Sequence, residues 1–326
     1  MRRITLRALA RCVALVPLVV AGPIAAQSGD YPSKPVRLIA GAAAGGTGDV
    51  LARVLGEALS PLWKQQAVIE NRAGAGGVIA MQALLAAPAD AHTLLVAAGS
   101  YLTISPFTQV LPYDVERDFT PIAFVAEIPI VISSASRLPY KTLAELVAFA
   151  KANPGAVTFA ANTPGTFPHM ATELFLQKAD LKMTFVPYKG SSAAIPDALA
   201  GRIDLVVEGL AALAGGIKSG GLRPLGVTST RRLPSLPDVP SIAESVPGYS
   251  AIGFYAIVGQ AKMPQAIVKK LNEEFNQVLA RADVAAELAD LGNYVRTMSV
   301  EELDAFLKSE RATFGPLVRR MGLAAK

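Results

Sequence analysis

The sequence predicts an α/β protein of two lobes, a clamshell whose mainly parallel sheets are flanked by helices. Three observations carry this. Short apolar runs alternate with helical patterns from end to end, and most runs are nearly continuous rather than alternating, as strands covered on both faces require. Of 326 residues, 52% are hydrophobic and 17% charged, which excludes disorder and supplies a core without staples. Two proline-rich passages, 119–131 and 233–250, mark the points where the chain changes lobes. Their prolines equally suit ordinary surface loops, so composition alone leaves the hinge open.

Strands are predicted at Val36–Ala40, Thr93–Ala97, Ile128–Ser133, Val157–Ala160, Met183–Val186, Ile203–Glu208, Leu225–Thr228 and Phe254–Gly259. Helices between them carry start signals. Thr142 with Glu145, and Ser299 with Glu302, form capping boxes. Pro264 fits the first turn of a helix that places Val268, Leu271, Phe275 and Leu279 on one stripe. The implied organisation is a leader over 1–26, a first lobe from 27–124 and 250–326, and a second lobe from 125–249, with the cleft between strand ends.

The leader has a basic start, a twelve-residue apolar stretch from Val13 to Ile24 and a small-residue exit at Ala25 and Ala26, the pattern of a secretory signal peptide. The stretch is too short to span a bilayer, which takes about 20 residues. Arg2-Arg3 leaves both the general and the twin-arginine export routes open. The leader also accounts for the basic charge. It holds four of the 31 basic residues and no acid, leaving 27 against 26 acidic. A nearly neutral body with 6% aromatics offers neither a phosphate-tracking stripe nor stacking platforms, so nucleic acid is not an expected partner. The only cysteine, Cys12, lies in the leader. The mature chain is therefore expected to have no disulfide, thiolate nucleophile or thiolate metal site.

The most informative stretch runs from Val36 through Ala44, Gly45, Gly46, Thr47 and Asp49. A buried strand, a glycine turn and a helix start follow in order, leaving amides near Gly45 to Thr47 unpaired, where the helix dipole attracts an anion. The same pattern serves a tight turn without a ligand. Thr47 stands where a triphosphate-binding loop needs lysine, and Ile79 replaces the third glycine of a dinucleotide fingerprint in the loop 71–77. Arg72 in that loop is expected to pair with an acid. Gly99 and Ser100 end one strand, and Thr163, Gly165, Thr166 and His169 link another to a helix. Both groups lie where open α/β sheets bind ligands. Thr166 also suits a helix cap, and His169 a structural role.

Catalytic machinery is not assembled by these residues. Ser100 lacks the glycine of a nucleophile elbow, and His92 and His169 have no metal-ligand spacing with other candidates. Asp204 and Glu208 lie near a strand end, where solvated or ion-paired carboxylates are the ordinary outcome.

Over essentially its whole mature length the chain resembles the periplasmic receptors of tripartite tricarboxylate transporters, the Bug receptors. Seven ordered segments carry the resemblance: Tyr31 to Ile39, Ala44 to Asp49, Glu70 to Gly77, Leu111 to Asp114, Val186 to Gly190, Gly201 to Asp204 and Leu236 to Pro240. The resemblance implies a type II-like periplasmic binding protein, a monomer without cofactor or catalysis. Such a protein closes on a small organic carboxylate and delivers it to membrane permease subunits. It implies a first jaw of Ala44, Gly45, Gly46, Thr47 and Asp49, and a side wall of Gly99 and Ser100. The second jaw is Thr163, Gly165, Thr166 and His169, with Lys189, Gly190, Asp204 and Glu208 near the floor or its support. Gly41-Ala42 stands where such receptors commonly have Pro-Phe, and Val78 where Asn is frequent, so an aromatic wall is missing. Presentation to a sensor kinase, or a secreted hydrolase using Ser100 or His169, are the competing functions.

Overall fold

The computed structural model describes residues 31–42, 44–161, 163–188 and 191–325. The predicted signal peptide, Lys189 and the predicted contact Gly190 lie outside the described residues.

Strands β1 (Val36–Ala40), β2 (Ala67–Asn71) and β3 (Thr93–Ala98) are interleaved with helices α1 (Thr47–Trp63) and α2 (Val78–Leu85). Short helices α3 (Gly99–Thr103) and α4 (Ser105–Thr108) lead to β4 (Phe119–Ile128), which Pro129 alone separates from β5 (Ile130–Ala135). The chain continues through α5 (Leu143–Ala152), β6 (Thr158–Ala160), α6 (Phe167–Ala179), β7 (Thr184–Val186) and α7 (Ser191–Leu199). Then come β8 (Leu205–Gly209), α8 (Leu210–Lys218) and β9 (Leu222–Val227). A long connection returns to β10 (Gly253–Gln260), followed by α9 (Gln265–Leu279), α10 (Ala282–Asp290), β11 (Tyr294–Val295) and α11 (Val300–Arg320).

Two sheets result, ordered β11-β4-β10-β3-β1-β2 and β7-β6-β8-β5-β9, so the two-lobed α/β architecture is present. The strand sense corrects the expectation of mainly parallel sheets. Parallel pairing holds for β1 with β2 and β3, and for β6 with β7 and β8. Strands β4, β5, β10 and β11 pair antiparallel. The reason is connectivity: parallel neighbours need a crossover helix, whereas β4 and β5 pass between lobes as one extended run and β10 returns through a loop. Pro121, which has no N–H to donate, is accommodated where the β4–β10 register shifts opposite Val258.

Each sheet is covered on both faces. Helices α1 and α9 bury Leu51, Leu55, Leu271 and Phe275 against Leu38, Val96 and Val125. On the opposite face, Met81 and Leu84 of α2 and Leu303 and Leu307 of α11 meet Ile39, Leu95 and Phe124. In the second lobe Leu146 and Phe175 cover Phe159 and Val207, while Ala194, Ala198 and Leu213 cover Val131 and Val206. Successive strand residues thus meet opposite helix layers, as Leu38 and Ile39 do.

Helix α11 belongs to both cores. Its capping box at Ser299 and Glu302 forms as the sequence predicts, and its 21 residues reach about 31 Å. Its second half carries Phe314, Leu317 and Val318 into the core of the second lobe. Phe314 is fully buried and meets Phe167 at the start of α6 edge-on, with ring centroids 5.9 Å apart. Phe314→Ala is expected to lower the unfolding free energy by about 3 to 5 kcal/mol in urea titrations; a loss below about 1 kcal/mol would mean this end of α11 is not structural.

Candidate functional site

A cavity of about 180 Å³ lies between the sheets, lined by Thr47, Ala98, Gly99, Ser100, Ile128, Ile130, Phe167, Pro168, Glu208, Gly253, Phe254 and Tyr255. Four helices begin at its wall. Thr47 opens α1, Gly99 opens α3, Phe167 opens α6, and Gly209, next to Glu208, is the N-cap of α8. Each follows the carboxyl end of a strand, β1, β3, β6 and β8 in turn. The N–H groups of Thr47 and Phe167 find no acceptor among the described residues, as expected in a first helical turn. Aligned peptide dipoles place partial positive charge at such ends. No lysine or arginine is among the described residues lining the cavity.

The two jaws share one local design. Gly45 and Gly165 both have φ +79°, a left-handed conformation that suits glycine. Each is four residues before a buried polar side chain that accepts its N–H. Gly45 donates to Asp49 Oδ2 at 2.8 Å, and Gly165 donates to His169 Nδ1 at 3.1 Å. These side chains brace the loops from beneath and do not line the cavity. Asp49 is held further by Arg53 Nε at 3.0 Å, Arg53 Nη2 at 2.9 Å and Asn71 Nδ2 at 2.9 Å. The Arg53 bond, then the Gly45 N–H, hold its carboxyl down at about 2. His169 packs against the Phe185 ring, centroids 4.0 Å apart, and burial lowers its pKa to about 4. Its Nδ1 accepts, so the neutral ring carries its proton on Nε2, 3.7 Å from Glu173.

The remaining predicted residues divide clearly. Thr47, Gly99, Ser100 and Glu208 are brought to the cavity. Ala44, Gly45 and Gly46 form the turn above it, and Thr163, Gly165 and Thr166 the opposite turn. The Thr166 hydroxyl donates to Thr163 O at 2.7 Å and does not cap α6 with its side chain. Asp204 is not brought to the cavity. Its Oδ2 accepts from Thr158 N at 2.9 Å and Thr158 Oγ1 at 2.8 Å, tying β6 to β8. Arg72 pairs with Glu70, as expected. His92 accepts from Ser33 N at Nε2 and contacts Asp90 O at Nδ1, a structural arrangement. Among the described residues no histidine is hydrogen-bonded to Ser100.

Sequence reasoning missed the apolar wall, namely Ile128, Ile130, Phe167, Pro168, Gly253, Phe254 and Tyr255. A signal existed at Gly253, immediately before a predicted strand. A Cβ there would lie 2.6 Å from Ile128 O and 3.0 Å from the Phe167 ring, so glycine allows Phe167 to reach across from the other lobe. The missing aromatic at Gly41-Ala42 also has an explanation. Tyr101 donates to Gly41 O at 2.6 Å, and its ring would lie 2.7 Å from a Cβ at residue 41. Burial raises the Tyr255 pKa, with electrostatic contributions from Tyr101 and Glu208, so this hydroxyl keeps its proton.

The architecture and cleft are those of a two-lobed solute-binding protein. Comparison with known proteins agrees: the model of the tripartite tricarboxylate transporter family receptor, TctC, matches residues 51–323, and the chain belongs to that family. It is 33% identical over 313 residues to protein BugT of Bordetella pertussis, covering 94% of each chain. A solved structure of R. palustris Rpa4515 with adipate matches with TM-score 0.79 and 30% identity, covering 91% of this chain and all of that one. MatC from Rhodopseudomonas palustris with bound malate matches with TM-score 0.73 and 25% identity, covering 88% of this chain and all of that one. Among the described residues no helix is long and apolar enough to cross a membrane, and no cluster of three metal-ligating side chains occurs.

The two braces differ in acid response. The Asp49 pKa lies below its ordinary 3.8, so its stabilisation is full above about pH 4 and is lost toward pH 2. The His169 pKa lies below its ordinary 6.5, so between 6.5 and 4 only the unfolded chain takes up the proton, and stability falls as pH falls through that window. Burial raises the pKa of adjacent Glu173, which contributes a slope of opposite sign just above its ordinary 4.5. Urea midpoints measured from pH 7 to 4 should decline less in His169→Gln than in the parent. Parallel curves would show that His169 is protonated in the folded state.

Proposed function

We propose that the protein is a periplasmic receptor that captures a small organic carboxylate between its lobes and delivers it unchanged to permease subunits of a tripartite tricarboxylate-type transporter. The observation that carries this is the convergence of helix N-termini from both lobes on one cavity whose described lining holds no cationic side chain. Such a site recognises an anion by fixed main-chain N–H groups. Family membership, and the adipate and malate held by the two related structures, support the same ligand class.

In this mechanism the carboxylate accepts from the Thr47 N–H in the first jaw and the Phe167 N–H in the second, with the Ser100 hydroxyl beside them. Hydrogen bonds to a charged group contribute about 1.5 to 3 kcal/mol each. A few of them, offset by the cost of association, give micromolar affinity, near 8 kcal/mol. The lobes are joined at Pro129, in the 228–252 connection and through α11, which is packed in both cores, and a ligand that touches both jaws only when they are closed supplies the differential affinity that drives closure. No bond in the ligand is made or broken.

Thr47→Pro is a specific probe. Proline is well tolerated at the first position of a helix, and Gly46 already has the extended conformation, φ −76° and ψ 161°, that a following proline requires. The variant therefore removes one N–H and keeps the fold. In calorimetric titration against a panel of carboxylates, Thr47→Pro is expected to weaken the best ligand at least about tenfold, ~1.4 kcal/mol, and Thr47→Ala by much less. Equal losses would place recognition in the side chain, and no heat with any carboxylate would overturn the receptor assignment.

A further inference from the structure

One position on α11 interrupts an otherwise apolar stripe. Leu303, Leu307, Glu310, Phe314 and Leu317 follow one another at helical spacing, and all are buried. Leu303 and Leu307 belong to the core of the first lobe, Phe314 and Leu317 to that of the second, so Glu310 occupies the seam between the cores. It is 8% exposed, and its Oε2 has no hydrogen-bond partner among the described residues. A buried carboxyl oxygen left in this way requires a reason. The titratable groups around it are engaged elsewhere. On α11 itself, Lys308 pairs with Asp304 and Arg311 with Glu116. Of the elements packed against α11, α3 brings Tyr101, which donates to Gly41 O, and β4 brings Glu127, which pairs with Arg296. Helix α6 brings Lys178 and the neighbouring His169 and Glu173, and α4 brings no titratable group. The flanking cores add Tyr113, Tyr140 and Tyr249, phenols that burial keeps protonated. None of these acts on Glu310: burial alone raises its pKa, to about 7.

The helical neighbours of Glu310 reach the ligand cavity. One turn before it, Phe306 meets Phe254 edge-on with ring centroids 5.0 Å apart; one turn after it, Phe314 meets Phe167 at 5.9 Å. Phe254 and Phe167 both line the cavity, one from each lobe. We propose that Glu310 makes ligand capture pH-dependent: it is protonated while the lobes hold a carboxylate between them and ionised when they part. This rests on the carboxylate-receptor reading above and adds its regulation. A ligand between Phe254 and Phe167 fixes both aromatic contacts, and with them the dry packing around Glu310, which favours the neutral carboxyl. Parting the lobes admits water to the seam, where the charged form is no longer penalised. Proton and ligand therefore strengthen each other's binding, by the same factor. The sign follows from the direction of the shift. With the pKa at about 7 in the packed seam and nearer its ordinary 4.5 when hydrated, affinity is highest at low pH and declines as pH rises toward 7. Alkalinity thus favours release.

The test is calorimetric titration with hexanoate, benzoate, adipate and malate at pH 6, 7 and 8, each affinity corrected for ionisation of the compound itself. For whichever compound binds, the dissociation constant of the parent protein should rise at least about threefold from pH 6 to 8. Binding at pH 7 should also take up protons, read from the dependence of the heat on the ionisation enthalpy of the buffer. Glu310→Gln, uncharged and of the same shape, should bind with an affinity independent of pH and without proton uptake. Glu310→Met, uncharged and apolar, should do the same, and carries the test should the glutamine variant fail to fold. His169, with its pKa lowered to about 4, stays neutral across this range and cannot supply the effect. A parent affinity that is flat or rises with pH, or a dependence that persists in the variants, would overturn the proposal and leave the receptor reading standing. Silence from every compound at every pH overturns both.

Discussion

The bond from a left-handed glycine N–H to a side chain four residues further on is the constraint on which the cleft depends. It occurs twice, as Gly45 to Asp49 and as Gly165 to His169. In each case it ties the strand-to-helix loop to the first helical turn, and the residue that opens the helix, Thr47 or Phe167, lines the cavity. The two acceptors differ in chemistry but serve one geometric purpose. Asp49 is ionised and clamped by Arg53 and Asn71, while His169 is neutral and clamped by aromatic packing against Phe185 and Phe159. Because each acceptor lies below its loop, the charge of Asp49 is balanced before it reaches the cavity.

A site built from dipoles has consequences that a site built from arginine would not share. The partial charges are set by the backbone and cost no side-chain ordering when the ligand arrives. They attract an anion only at short range, which suits a receptor whose mature chain is expected to be nearly neutral. The apolar wall is part of the same design. Phe167 lies over Gly253 and touches Phe314, so the start of α6 is coupled to α11, the helix shared by both cores. The cavity wall at Phe167 is thereby connected to the packing between lobes.

Much of this was legible in the sequence, and the omissions have physical causes. The buried strands were visible because their apolar runs are continuous, as in Val36–Ala40, whose observed limits coincide with the predicted ones. Strand β2 was not, because it lies at the sheet edge and its partly exposed Ala67–Asn71 carries Glu70 and Asn71. The strand character of β4 was obscured by Pro121, which only the register shift against β10 makes acceptable. At the site, the glycine turns were evident from local spacing. The roles of Asp49 and Asp204 were not, since a carboxylate that braces a loop and one that touches a ligand look identical in one dimension. Tyr101 beside Gly41, and Phe167 across Gly253, are contacts between distant segments and leave no mark in local pattern beyond the glycine itself.

The account reduces to main-chain N–H groups from both lobes gripping one anion. Its most direct test is an amide-resolved NMR titration of the ¹⁵N-labelled protein with the tightest-binding carboxylate found. The Thr47 and Phe167 amide protons should move downfield together, saturating at one equivalent with a common dissociation constant, as both donate to the bound carboxylate. Shifts confined to one of the two, or both amides remaining unmoved while the ligand saturates elsewhere, would contradict it.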